Sequence, residues 1–113
     1  MEIITHPITI EELKEKAQEL FGDMVKAVVD IKRQIMAINA ELHADEEQFL
    51  LENGSAQQNL WGINLYPDLE TEDWLEFDSM INLRPIQGNT SRGVDDPAVQ
   101  QKIRNIVDKL VTR

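Results

Sequence analysis

Apolar residues recur at every second position between residues 25 and 42, and this pattern constrains the fold most. The two rows are Val25, Ala27, Val29, Ile31 and, after the polar segment Lys32-Arg33-Gln34, Met36, Ile38, Ala40, Leu42. Side chains of a strand alternate between two faces, so the period predicts two half-buried strands, and the short link favours an antiparallel hairpin. The alternative is a helix continuing through Asn39, because several of these residues favour helices. The adjacent Val28 and Val29 favour the hairpin.

A second hairpin is predicted between residues 60 and 83. The segment Leu60–Tyr66 alternates around Trp61, Ile63 and Leu65. The segment Trp74–Leu83 is predicted to be the fourth strand, with Leu75, Phe77, Ser79, Ile81 and Leu83 facing inward. Pro67–Asp73 would form the charged loop between these strands. Pro85 would end the fourth strand, because proline lacks the backbone donor that a sheet requires.

Three helices are predicted from their start sites. The start sites are a T-x-x-E capping box at Thr9 and Glu12, an acidic first turn with Asp45 as cap, and the pair Asp96-Pro97. Such residues satisfy or favour the free amides of a first helical turn. They predict helices over about residues 10–22, over 45–53, and from residue 97 to the C-terminus.

The predicted order is therefore α-β-β-α-β-β-α, with an additional short leading strand at Glu2–Thr5. Two hairpins can merge into one four-stranded antiparallel sheet with two longer helices and one short helix packed on one face. The fold class is α+β, and residues 1–113 are expected to form a single domain, a common size for one.

Composition excludes several classes of function. The chain has no cysteine, which excludes disulfides and thiolate chemistry and is compatible with a cytoplasmic location. A net charge of −10 disfavours nucleic-acid binding. Residues 41–78 contain eleven acids and no Lys or Arg, which indicates a solvated face or a docking surface for a basic protein partner. No signal peptide and no apolar segment of membrane-spanning length are visible, so no membrane association is expected.

Several segments resemble a known family. These are Leu42-His43-Ala44-Asp45, Glu52-Asn53-Gly54-Ser55, Trp61-Gly62-Ile63-Asn64, and Phe77-Asp78-Ser79-Met80-Ile81-Asn82-Leu83-Arg84-Pro85 continuing to Gly88-Asn89-Thr90-Ser91-Arg92. They are similar to a family of small bacterial proteins catalogued as a domain of unknown function, from about residue 25 to the end. The resemblance implies a compact stand-alone protein and assigns no catalytic residue.

His43, Asp45 and Glu46 form the best candidate for a metal or acid–base site. An imidazole and two carboxylates at a strand-to-helix junction could bind Mg²⁺, Mn²⁺ or Zn²⁺ and support a small metal-dependent hydrolase. The structural alternative is that His43 bonds a backbone group while Asp45 caps the helix. A serine hydrolase at Ser79 would need His43 as its base, and nothing in their spacing brings the two together.

Arg84 and Arg92 bracket the loop of residues 85–91, which overlaps the longest glycine-rich and polar stretch of the chain, residues 86–95. Their guanidinium groups, beside the amides of Gly88 and Asn89 and the hydroxyl of Ser91, could bind a carboxylate, a phosphate or a peptide. The alternative is an internal network in which the arginines pair with acids: Asp78, Asp95 and Asp96.

The leading hypothesis is a non-catalytic binding or regulatory module that uses this loop and needs no cofactor. No nucleotide-binding or hydrolase motif is present, which supports this hypothesis. Trp61 and Trp74 lie on the two strands of the second hairpin, where they either pack in the core or form a subunit interface. A homodimer is expected through this sheet or through its edge, because a sheet covered on one face leaves the other to be buried or solvated.

Overall fold

The computed structural model describes all 113 residues and contains a five-stranded sheet, a two-stranded sheet and three α-helices. The strands are β1 (Glu2–Ile4), β2 (Ile8–Thr9), β3 (Val25–Asp30), β4 (Ile35–Ile38), β5 (Leu60–Leu65), β6 (Leu75–Glu76) and β7 (Val111–Thr112). The helices are α1 (Ile10–Leu20), α2 (His43–Glu52) and α3 (Pro97–Leu110). Short 3₁₀ helices lie at Gln57–Asn59, Met80–Asn82 and Pro85–Gln87.

The larger sheet has the order β1-β4-β3-β5-β6, and every neighbouring pair is antiparallel. The smaller sheet pairs β2 with β7 in parallel, with Ile8 opposite Val111. It joins the residues just before α1 to those just after α3. The α+β class is confirmed, but the predicted four-stranded sheet lacked one strand and the small second sheet. The fifth strand is β1, the short leading strand expected at Glu2–Thr5.

The first hairpin is confirmed, and the alternative of a helix through Asn39 is wrong. One carboxylate oxygen of Asp30, at the end of β3, accepts from the N–H groups of Lys32 at 2.9 Å and Arg33 at 3.0 Å. Gln34 adopts a left-handed conformation with φ +59°. A side-chain-anchored turn that contains a positive φ interrupts a helix, because L-residues rarely adopt this conformation within one.

The second hairpin is shorter than predicted. The strand expected over Trp74–Leu83 ends at Glu76. Beyond it, the hydroxyl of Ser79 accepts a backbone N–H and begins the 3₁₀ helix Met80–Asn82. The side chain of Asn82 then bonds both the N–H and the C=O of Gly62 on β5. A side chain therefore replaces the strand that the alternation pattern predicted.

Helices cover both faces of the sheet, so the prediction of helices on one face is wrong. The larger core packs α1 and α3 against one face, and a smaller core packs α2 against the other. The smaller core consists of Val28, Ile35, Ala37, Leu50 and Leu60. All residues of β4 and β5 are buried, as expected for strands covered on both faces.

The starts of α1 and α3 are confirmed, whereas α2 begins earlier than predicted. Thr9 accepts from the N–H of Glu12 at 3.1 Å, and Asp96 accepts from the N–H of Ala98 at 2.8 Å. Helix α2 starts at His43, and its N-cap residue offers no side-chain hydrogen bond. Asp45 therefore lies inside the helix and does not cap it. None of the three helices has the length and hydropathy needed to cross a membrane.

Candidate functional site

The guanidinium group of Arg84 is bound internally. It donates to the carbonyl oxygens of Gln57 and Leu60 and stacks on the Trp61 ring, 4.2 Å from the ring centroid. Its Nε is buried and has no partner. Burial lowers the pKa of Arg84 from its usual value. Arg84 therefore fastens the 3₁₀ helix Pro85–Gln87 to the segment before β5, and its partners are carbonyls rather than the predicted acids.

The amides of Gly88 and Asn89 are also used within the loop. Gly88, with φ +81°, donates to the carbonyl of Pro85, and Asn89 exchanges backbone hydrogen bonds with Arg84. The side-chain amide of Asn89 donates to three carbonyls and its oxygen accepts from the N–H of Asp95. The amide groups that the sequence suggested for an anion therefore already have partners.

Ser91 and Arg92 complete the loop in different ways. The hydroxyl of Ser91 donates to Asp95, which also accepts from the N–H of Thr90. These bonds lower the pKa of Asp95, the bond from Ser91 most. Arg92 Nε donates to Asp78 at 2.8 Å, while both Nη groups of Arg92 have no protein partner. Arg92 is therefore the cation of this loop that can still bind a ligand.

His43, Asp45 and Glu46 do not converge on a metal site. Asp45 is exposed, whereas Glu46 is fully buried and its Oε2 accepts from the N–H of Ala40 at 3.1 Å. Burial raises the pKa of Glu46 to about 9, so this carboxyl is protonated near neutral pH. No group of three or more His, Asp or Glu side chains is arranged to hold a metal ion. The geometry therefore gives no support to the alternative metal-dependent hydrolase.

A cleft of about 250 Å³ lies between the start of α2 and the segment that follows β6. Its lining residues are Lys26, Leu42, His43, Ala44, Asn64, Asp78, Ser79, Met80, Ile81 and Arg92. It brings together one predicted site residue from each of the two candidate sites, His43 and Arg92. Four larger hollows of about 320–400 Å³ are present elsewhere, but none of their lining residues carries a buried unpaired polar atom. One lining residue of the cleft beside α2 carries such an atom, and we call this cleft the α2 cleft.

That unpaired atom is Oδ1 of Asn64, a residue of β5 that is 5 % exposed. The Nδ2 group of Asn64 donates to Glu76 Oε1 at 2.8 Å and to the carbonyl of Asp78 at 3.3 Å. The carbonyl of Asp78 can only accept, so the group of Asn64 that bonds both partners is the donor Nδ2. The orientation of the amide is therefore fixed, and Oδ1 of this cleft-lining residue is buried without a donor.

The α2 cleft also has a positive end. Helix α2 begins there without a side-chain cap, and the N–H groups of His43 and Ala44 have no acceptor, so these two amides are available to an anion. The Nη groups of Arg92 lack partners, and Lys26 forms no ion pair. Lys26 on β3 lies directly opposite Asn64 in the sheet register, which places the two on the same face.

His43 contributes a neutral imidazole to the α2 cleft. Its Nε2 lies 2.7 Å from the carbonyl of Ile63, and a carbonyl only accepts, so Nε2 carries the proton. Burial lowers the pKa of His43, and its hydrogen bond to Ile63 opposes this effect. Nδ1 is consequently an unprotonated acceptor with no protein partner. The predicted alternative, in which His43 bonds a backbone group, is confirmed.

Ser79 shares the α2 cleft with His43, a proximity that the sequence spacing did not reveal. Ser79 is nevertheless 2 % exposed, and its hydroxyl oxygen accepts from the N–H of Ile81 at 3.3 Å. It packs so closely on Gly62 that a Cβ atom there would lie 2.6 Å from the Ser79 side chain. This packing favours a structural role over that of an accessible nucleophile.

Sequence reasoning missed Lys26 and Asn64. Each is a polar residue inside a strand whose neighbours are apolar, and that interruption is the signal that could have identified them. Their pairing depends on the register of β3 against β5, which the sequence alone does not specify.

A family model described as "Protein of unknown function (DUF5674)" matches residues 2–110. The match begins well before residue 25, where the resemblance found in the sequence began. Searches of curated proteins and of solved structures gave no significant match.

Proposed function

This chain belongs to that family of proteins of unknown function, and we propose that it is a non-catalytic binding module for a small anionic molecule. The ligand would occupy the α2 cleft. The observation that carries the proposal is Asn64 Oδ1, an acceptor that the fold buries and leaves without a donor. Buried polar groups are nearly always paired with protein or ordered water, and this acceptor has no partner within the chain.

The charge of the ligand follows from the other groups in the α2 cleft. A free helix start and the unpaired Nη groups of Arg92 both favour a negative group. Lys26 adds a second cation on a protein whose net charge is −10. Two cations in one small cleft of such an acidic protein support local recognition of an anion rather than general attraction.

The proposal keeps Arg92 from the predicted loop site and gives the rest of the loop a supporting role. Arg84, Gly88, Asn89 and Ser91 hold the loop in shape through their internal hydrogen bonds. The proposal also retains the expectations of a cytoplasmic location and of a basic protein partner for the acidic block of residues 41–78.

We expect small carboxylates to bind in the α2 cleft. The test is a titration of ¹⁵N-labelled protein with acetate, benzoate, 4-methylpentanoate and inorganic phosphate, followed by two-dimensional NMR. At least one carboxylate should shift the amide signals of His43 and Ala44 and the side-chain amide signals of Asn64. The amide signals of Gly88 and Asn89, which are bound internally, should move least.

The Arg92→Gln variant tests the charge in this proposal. It should weaken carboxylate binding by roughly tenfold, the usual effect of losing one charged hydrogen-bonding partner. The matched control is Lys102→Gln, which removes an exposed cation of α3 outside the α2 cleft and should leave the affinity unchanged. The proposal is wrong if no probe shifts the cleft signals, or if the two variants weaken binding equally.

The homodimer remains a proposal, and its expected location changes. Helices cover both sheet faces, so a second copy would contact an edge strand or the exposed apolar side chains of residues 80–86. Met80 is 63 % exposed and Ile86 is fully exposed. We expect Ile86→Lys to weaken self-association in sedimentation velocity across a concentration series. A monomer at all concentrations would contradict the homodimer.

A further inference from the structure

We infer, on the basis of the proposed function, that the ligand of the α2 cleft is an apolar amino-acid unit with a free carboxylate. The same chemistry occurs in a free amino acid and in the C-terminal residue of a peptide. Three features of the α2 cleft carry the inference: an acceptor without a donor, donors without an acceptor, and an apolar rim.

The unpaired acceptor specifies a donor on the ligand. Asn64 Oδ1 is buried, and the two hydrogen bonds of Nδ2 to Glu76 and Asp78 prevent the amide from rotating to satisfy it. A simple carboxylate has no donor and would leave this oxygen unpaired. A ligand that carries an N–H group beside its carboxylate would satisfy it.

The unpaired donors specify the carboxylate. The Nη groups of Arg92 present a planar fork, which matches the two oxygens of a carboxylate. The first amides of α2 lie at the same cleft, since Leu42, His43 and Ala44 all line it. Asp78 binds Nε of Arg92 and holds the guanidinium group in place without occupying the Nη groups.

The rim specifies an apolar side chain of limited size. Leu42 is 59 % exposed and Met80 is 63 % exposed, although both are large apolar residues, and they lie beside Ile81 at the cleft. Covering such side chains stabilises a complex by roughly 25 cal/mol per Å² of buried apolar surface. A volume of about 250 Å³ accommodates one amino-acid unit.

The experiment measures the affinity of wild-type protein for four related probes by NMR titration or calorimetry. N-acetyl-L-leucine carries the carboxylate, the N–H donor and the apolar group. 4-Methylpentanoate lacks the N–H donor, and N-acetyl-L-leucinamide lacks the carboxylate. L-Leucine carries an ammonium group in place of the amide and distinguishes a free amino acid from a peptide C-terminus.

We expect N-acetyl-L-leucine or L-leucine to bind at least roughly tenfold more tightly than 4-methylpentanoate, because pairing a buried acceptor has an effect of this size. Tighter binding of L-leucine would indicate a free amino acid, and tighter binding of N-acetyl-L-leucine would indicate the C-terminal residue of a peptide. The binding should shift the side-chain amide signals of Asn64, and the leucinamide should bind weakly. If 4-methylpentanoate binds the α2 cleft as tightly as both, this inference is wrong while the proposed function stands. If no probe binds, both are wrong.

Discussion

Replacement of Glu46 by glutamine should stabilise the protein at pH 8, by roughly 3–5 kcal/mol in the free energy of unfolding. Glu46 on α2 is fully buried against the segment after β4, and only one of its carboxyl oxygens has a hydrogen-bond partner. Burial raises its pKa to about 9, whereas its ordinary value is 4.5. Glutamine has nearly the same shape as glutamate and does not ionise, so its burial costs no more at pH 8 than at pH 4.5.

The sign of this effect follows from proton linkage. Between pH 4.5 and about 9, the native state keeps the proton of Glu46 and the unfolded state has released it. The wild-type protein therefore loses about 1.4 kcal/mol of stability per pH unit in this window from this group alone. The stability that the protonated Glu46 side chain contributes is fully present below pH 4.5 and is lost as pH rises through the native pKa of about 9. The Glu46→Gln variant lacks this dependence.

The measurement is chemical denaturation of both proteins at pH 4.5, 6 and 8. The two stabilities should be similar at pH 4.5 and should diverge as pH rises, in favour of the variant. The matched control is Glu41→Gln, an exposed residue just before α2, which should parallel the wild-type protein at every pH. Parallel curves for wild type and Glu46→Gln would show that the carboxyl is ionised in the native state.

The fold was predictable where local patterns decide it. The row from Val25 to Ile31 identified β3, and the capping residues Thr9 and Asp96 placed α1 and α3. The placement of α2 on the opposite face was not predictable from period two, because the sheet strands are buried on both sides. Val28 is buried although it occupies the predicted outward row.

The candidate site was predictable only in part, for a related reason. His43 and Arg92 stood out as isolated functional groups, but their meeting in the α2 cleft depends on tertiary packing. The predicted loop arginines differ in a way that no local pattern reveals. Arg84 is bound to carbonyls from a distant segment, whereas Arg92 keeps free Nη groups because Asp78 occupies only Nε.

Asn82 is the residue whose side chain joins the candidate site to the sheet. It is fully buried, accepts from the N–H of Gly62 at 2.8 Å and donates to the carbonyl of Gly62 at 3.0 Å. It also donates to the carbonyl of Arg92 at 2.9 Å. The side chain of Asn82 therefore satisfies both backbone groups of Gly62 in β5. It also helps to hold the backbone of Arg92, the residue that supplies a cation to the α2 cleft.

Replacement of Asn82 by alanine should lower the free energy of unfolding by roughly 3–5 kcal/mol, since each buried group left unpaired costs about 1–3 kcal/mol. The loss is comparable with the total stability of many domains, so urea denaturation should be measured at low temperature. Surviving native protein should also bind carboxylates more weakly, because the carbonyl of Arg92 loses one of its two hydrogen bonds and keeps only that from the N–H of Ser79. The matched control is Asn105→Ala on the exposed side of α3, which should change stability by less than about 0.5 kcal/mol.

The Asn82→Asp variant distinguishes lost hydrogen bonds from lost packing, because its volume matches asparagine. One carboxylate oxygen can still accept from Gly62, but the other must face the carbonyl oxygens of Gly62 and Arg92. That repulsion favours the protonated acid, so the pKa of the new carboxyl should rise and the destabilisation should increase with pH. We therefore expect a larger loss at pH 8 than at pH 5. A loss independent of pH, or one no greater than that of Asn105→Ala, would show that Asn82 does not hold the 3₁₀ segment against β5 through its amide.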